Sequence, residues 1–136
     1  MGDRDHPDEA SAPLPSGLKD VLLVEDNFII ALDASDMLRE LGVENVMTAV
    51  NQAEALAIML QQIPQFALLD VNLGDEKGFE VAQQLRALGI PFAFGTGYAD
   101  PGAFPAEFAD ALVVSKPYNL EGLARVLPGG RTKPGA

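Results

Sequence analysis

Four short apolar runs punctuate the chain: Val21-Leu22-Leu23-Val24, Phe66-Ala67-Leu68-Leu69, Phe92-Ala93-Phe94 and Ala111-Leu112-Val113-Val114. Each is too short for a helix and none alternates with polar residues, which is the pattern of strands buried on both faces of a parallel sheet. A fifth run, Asn45 to Val50, is interrupted by polar residues and fits an edge strand. Between the runs the period becomes helical. Ile30, Ala34, Met37, Leu38 and Leu41 fall on one helical face, with Gly42 as the stop. Ala53, Leu56, Ala57 and Leu60 form a second stripe ended by Pro64, and Phe79, Ala82, Leu85 and Leu88 a third ended by Gly89 and Pro91. A short last helix is expected from Leu120 to Leu127. Pro101, Gly102 and Pro105 argue against a full helix before it, because an interior proline removes a hydrogen bond and clashes with the preceding turn. At most one or two turns, or a mobile loop, are expected there. Strands alternating with helices imply right-handed crossovers and an α/β fold. The expected fold is a doubly wound, five-stranded parallel sheet with a degraded fourth helix and a short fifth one.

Composition narrows the setting. At 136 residues and 48% hydrophobic content, the chain has length and apolar material for one folded domain, expected over residues 18–128. Residues 1–17 and 129–136, rich in proline, glycine and charge, read as flexible tails. The chain contains no cysteine, which removes disulfide scaffolds, thiol catalysis and Cys-ligated zinc. Its single histidine, His6, excludes a multi-His metal site. Nine basic against 20 acidic side chains give a net charge of −11, which disfavours direct binding to nucleic acid and to anionic membranes. With no apolar run long enough to span a bilayer and no signal-peptide layout, a cytoplasmic location is expected.

In a doubly wound sheet, functional residues gather at the carboxyl ends of the strands. Glu25 and Asp26 follow the first run, Asp70 the third, Thr96 the fourth, and Ser115-Lys116-Pro117 the fifth. Taken singly, each has a plainer reading. Asp26 would cap the helix beginning near Phe28, Asp70 would be a loop acid, Thr96 and Pro117 turn residues, and Lys116 a solvated charge. All four features stand at the ends of separate strands, and coincidence is the weaker account. Three crowded carboxylates repel one another unless a cation shares them. Oxygen-only ligands favour a hard ion, and Mg²⁺ is the usual intracellular one. A carboxylate flanked by metal and lysine can attack phosphorus, giving an aspartyl phosphate, and a hydroxyl such as Thr96 can bond the new phosphoryl oxygens.

These residues, in this order and spacing, resemble the receiver domains of two-component response regulators, the group that includes the chemotaxis response regulator. The resemblance runs from Lys19 to about Leu127. It rests on Val21-Leu22-Leu23-Val24-Glu25-Asp26-Asn27, on Leu68-Leu69-Asp70-Val71-Asn72-Leu73 with Gly78 eight residues after the aspartate, on Thr96, and on Ser115-Lys116-Pro117. It implies a flavodoxin-like sheet of order 2-1-3-4-5. It also implies Asp70 as phosphoacceptor, with Glu25, Asp26, Asp70 and the backbone carbonyl of Asn72 holding Mg²⁺. Thr96 would be the switch hydroxyl, and Lys116 would contact the phosphoryl group. The phosphoryl donor would be a sensor histidine kinase or a histidine phosphotransfer protein. The domain would catalyse its own phosphorylation and dephosphorylation rather than turn over a substrate.

Three departures qualify the resemblance. Gly74 replaces the proline most receivers carry four residues after the phosphoacceptor. Val113 stands where many carry an aromatic switch residue. Pro91-Phe92-Ala93-Phe94-Gly95-Thr96-Gly97-Tyr98 is similar to the motif of FAT GUY receivers, which usually have alanine at the position of Gly95 and a degraded fourth helix. The resemblance makes Tyr98 a second switch residue, moving with Thr96.

The function expected is that of a monomeric single-domain response regulator, since 136 residues leave no space for an output domain. It would signal by contact with a downstream protein or by phosphate relay. The alternatives are a Mg²⁺-dependent aspartyl-phosphate phosphohydrolase and an interaction module that kept the fold and lost the chemistry. The hydrolase class places a second aspartate two residues after the nucleophile, where Asn72 cannot act as general acid. A flavin-binding protein of the same topology would need a phosphate cradle where Glu25-Asp26 repels phosphate.

Overall fold

The computed structural model describes residues 17–72, 78–97 and 105–128. Five parallel strands, β1 (Asp20–Val24), β2 (Asn45–Ala49), β3 (Phe66–Asp70), β4 (Phe92–Thr96) and β5 (Leu112–Ser115), form one sheet in the order β2-β1-β3-β4-β5. Four helices accompany them among the described residues: α1 (Phe28–Glu40), α2 (Gln52–Gln61), α3 (Phe79–Ala87) and α4 (Leu120–Val126). The expected tails, apart from Gly17, lie outside the described residues, as do Gly74, Tyr98 and residues 99–104. No helix among the described residues is long and apolar enough to cross a membrane.

Strand alternation divides the core in two. On one face Val21, Leu23, Phe66, Leu68, Ala93 and Val114 pack against Ala34, Leu38 and Leu41 of the α1 region and Leu123 and Leu127 of the α4 region. On the other, Leu22, Val24, Ala67, Leu69, Phe92 and Phe94 pack against α2 and α3. The continuous apolar runs of β1 and β3 are thus covered on both sides, as expected. Gly78 enters α3 with φ 76°, a left-handed conformation suited to glycine. Having no side chain to cap the helix, it leaves that role to Gln52, whose Oε1 accepts from Glu80 N–H at 2.8 Å and Val81 N–H at 3.1 Å.

Two expectations are corrected. The stripe Ala53, Leu56, Ala57 and Leu60 is not the buried face of α2. Ala55 and Met59 are buried, Leu56 is only partly covered, and Leu60 is 87% exposed. The helix reads Gln-Ala-Glu-Ala-Leu-Ala-Ile-Met-Leu-Gln, apolar on nearly every side, so the period alone selects no face. The run before Lys116 is not buried on both faces either. β5 is the sheet's edge, and only Val114 in it is buried, with Leu112 and Val113 about half exposed. Among the described residues, no α-helix stands between β4 and β5.

The described part of the β4–β5 connection forms a 3₁₀ turn, Ala106–Phe108. Its anchor is Phe108, fully buried against Phe79, Phe92 and Phe94 with ring centroids 5.5–6.0 Å apart. Arg86 of α3 clamps the turn from outside. Its guanidinium lies 4.9 Å from the Phe108 ring and 5.6 Å from the Phe92 ring, and it donates a hydrogen bond to the Glu107 carbonyl. Its pairing with Asp110, at 4.0 Å and exposed, adds little. Arg86→Ala is therefore expected to cost about 1 kcal/mol, as lost cation–π contact and stem packing, read as a lower urea midpoint at unchanged slope.

Candidate functional site

The carboxyl ends of β1, β3, β4 and β5 meet at one rim, and local structure fixes what stands there. Glu25 extends the β1 ladder by one bond, its N–H donating to the Ala49 carbonyl at 2.9 Å. Asn27 then caps α1, accepting from Ile29 N–H at 3.0 Å and Ile30 N–H at 3.1 Å. The plainer reading of Asp26 as the cap is thereby replaced, and its exposed carboxylate is left to the rim. The Asn27 N–H donates to Glu25 Oε2 at 3.1 Å. The Asn72 N–H likewise donates to Asp70 Oδ1 at 3.0 Å. From β5, which is tied to β4 by Lys116 N–H to the Thr96 carbonyl at 2.9 Å, the Lys116 side chain reaches back across the rim. Its Nζ lies 3.2 Å from Glu25 Oε1 and 3.2 Å from Asp70 Oδ1.

Glu25 and Asp70 are almost wholly buried, at 2% and 1% exposure, so two buried carboxylates share one ammonium. Burial pushes the Glu25 carboxyl up to about 7; the repulsion of Asp70 adds to this, against the opposing Asn27 N–H and Lys116. Burial disfavours the Lys116 ammonium, but the attraction and hydrogen bonds of Asp70 and Glu25 outweigh it and hold its pKa above the ordinary lysine value. Asp70 Oδ2 has no hydrogen-bond partner, and Glu25 Oε1 is met by the Lys116 ammonium. Carboxylate oxygens of Glu25, Asp26 and Asp70 lie within 4.8 Å of one another. This set suits a hard divalent cation, which would offset the excess negative charge and meet the unpartnered Asp70 Oδ2.

Of the site residues expected from the sequence, the structure therefore brings together Glu25, Asp26, Asp70 and Lys116, with Thr96 half-buried at the end of β4 and Asn72 beside Asp70. Tyr98 lies outside the described residues. One residue escaped sequence reasoning. Tyr118, two positions after Lys116, is 6% exposed, and its buried hydroxyl has no hydrogen-bond partner. A Cβ built on Gly95 would stand 1.8 Å from that hydroxyl oxygen. The signal was the glycine itself, standing where the similar motif usually has alanine.

The sheet order β2-β1-β3-β4-β5 thus comes with three acids, a hydroxyl and a lysine at its carboxyl rim. The family model of the response regulator receiver domain matches residues 21–127. The chain belongs to that family. Among curated relatives, the sensory transduction protein LytT of Bacillus subtilis is 32% identical over 111 residues, covering 79% of this chain and 46% of LytT. The chain thus spans about half the length of the curated relatives it matches first. Among solved structures, SdrG from Sphingomonas melonis is 39% identical with a TM-score of 0.71, over 82% of this chain and 95% of that one. A response regulator from Burkholderia pseudomallei, solved with a phosphorylated aspartic acid, a calcium ion and citrate, is 28% identical with a TM-score of 0.69, over 80% of this chain and 66% of that one.

Proposed function

We propose that this chain accepts a phosphoryl group on Asp70 from a phosphohistidine of a sensor histidine kinase or a histidine phosphotransfer protein. The observation that carries the reading is the Lys116 ammonium, 3.2 Å from both Glu25 and Asp70, with Asp26 in reach to complete a cation site. A phosphorylated aspartate and a calcium ion in the similar Burkholderia pseudomallei protein support it. An Asp70 carboxylate oxygen attacks phosphorus. The phosphorus–nitrogen bond to the donor imidazole breaks, and the electron pair leaves with that nitrogen, which takes up a proton. Lys116 neutralises charge on the transferred group, and the Asn72 N–H holds the Asp70 carboxylate in orientation. Glu25, Asp26, Asp70 and the Asn72 carbonyl would hold Mg²⁺, which when bound supplies further positive charge to the phosphoryl oxygens. Thr96, at the end of β4, would bond a phosphoryl oxygen and report the change, with Tyr98 as a second switch residue. Output then passes, from a monomer, to a downstream protein or onward by relay.

Incubation with acetyl phosphate, with and without Mg²⁺, read by intact mass, tests the reading. The wild type is expected to gain one phosphoryl group only with Mg²⁺, and Asp70→Asn none. An undiminished adduct in Asp70→Asn would place the acceptor elsewhere. Sustained hydrolysis of phosphate esters with no retained adduct would favour a phosphohydrolase.

A further inference from the structure

Tyr118 presents a puzzle that burial alone does not solve. Its ring belongs to the core face with Leu68, Ala93, Val114 and Leu123. A phenylalanine would fill that place without burying an unpartnered hydroxyl, an arrangement that is unfavourable in a finished core. The hydroxyl points to a particular spot. It stands so close over the Gly95 backbone that a Cβ there would lie 1.8 Å from its oxygen. Gly95 is the register partner of Asp70 across β3 and β4. By strand alternation Gly95 and Asp70 share the sheet face of Ala93 and Leu68, the face on which Tyr118 packs. On that same rim Asp70 Oδ2 is also buried and unpartnered. Burial, with the charges of Glu25 and Asp70, holds the phenol far above its ordinary pKa, so it remains a protonated donor.

Resting on the phosphoacceptor reading of Asp70, we propose that Tyr118 is a further phosphoryl-contacting residue. Its hydroxyl, admitted by the absence of a side chain at Gly95, donates a hydrogen bond to the group carried on Asp70. A phosphoryl group adds three strong acceptor oxygens beyond the carboxylate and so extends the site toward the hydroxyl. Lys116, shared between two carboxylates, leaves a need for another donor.

The test compares wild type, Tyr118→Phe, Gly95→Ala and the double variant. Phosphorylation by acetyl phosphate with Mg²⁺ is followed by intact mass, and the adduct is examined by ³¹P NMR. Tyr118→Phe is expected to slow phosphorylation about tenfold, the size of a lost hydrogen bond to a charged group, without lowering the urea midpoint. The ³¹P resonance of its adduct should move. Gly95→Ala should match it by displacing the hydroxyl, and the double variant should be little worse than either single one. A wild-type rate and an unmoved resonance in Tyr118→Phe would overturn the role of Tyr118 while leaving Asp70 as acceptor. A wild type that forms no adduct would overturn both.

Discussion

Lys116→Met is expected to destabilise the folded chain by about 3 kcal/mol at pH 8 without Mg²⁺, because removing one partner leaves buried charge uncompensated. The ammonium is the group placed 3.2 Å from each of the two buried carboxylates. The pH dependence follows from Glu25, whose carboxyl lies near 7 in the folded protein against an ordinary value of 4.5. Between those values the folded chain holds a proton that the unfolded chain has released, so stability falls as pH rises through this window. Without Lys116 the folded value climbs further and the fall extends to higher pH. Near pH 5 Glu25 is protonated, one buried charge is already gone, and the deficit of the variant should shrink. Saturating Mg²⁺ should restore part of the loss at pH 8, since a ligand that binds only the folded state stabilises it. Urea unfolding of both proteins at pH 5 and 8 reads all three effects. An equal deficit at both pH values would assign the role of Lys116 to packing of its stem rather than to its charge.

What the sequence makes legible here follows from which interactions are local in pattern. β1 and β3 are buried on both sides and carry that fact in their composition. The rim follows from them, because a residue just after such a strand stands at its carboxyl end wherever the helices settle. Glu25, Asp70 and Lys116 therefore meet as expected, although they come from three strands. α2 is different: apolar residues occur around most of its circumference, and contact with β1 and β2 decides which are covered. The exposure of Leu112 and Val113 follows from the place of β5 at the sheet edge, a tertiary fact that no local run contains. Asn27 outcompetes Asp26 as the α1 cap because Asn27 Oδ1 meets the first free amides, a shift of one residue that composition cannot resolve. Tyr118 belongs to the same class. Only the fold brings its hydroxyl over Gly95, 23 positions earlier in the chain.

Phe108→Ala is expected to cost about 4 kcal/mol, the range for deleting a fully buried aromatic ring. The size is informative because the residue stands in a 3₁₀ turn of only three residues. If residues 105–110 were a loop resting on the surface, the loss would be a few tenths of a kcal/mol. Instead Phe108 is fully buried and in edge or stacked contact with three other rings, including Phe94 of β4. A single side chain thus anchors the described part of this connection to the core. Phe108→Leu, which keeps most of the apolar volume, should cost less than half as much, and the Arg86→Ala loss should largely vanish in the Phe108→Ala background because the guanidinium then has little ring to cover. The effect should also reach the rim. Phe94 lies two residues before Thr96 on the same strand, so loosening the ring cluster should speed amide hydrogen exchange at Gly95 and Thr96 more than in β1. Exchange that rises uniformly across the sheet would instead mean that Phe108 supports global stability alone. Exchange concentrated at the end of β4 would mean that this short turn holds the carboxyl end of the strand in place.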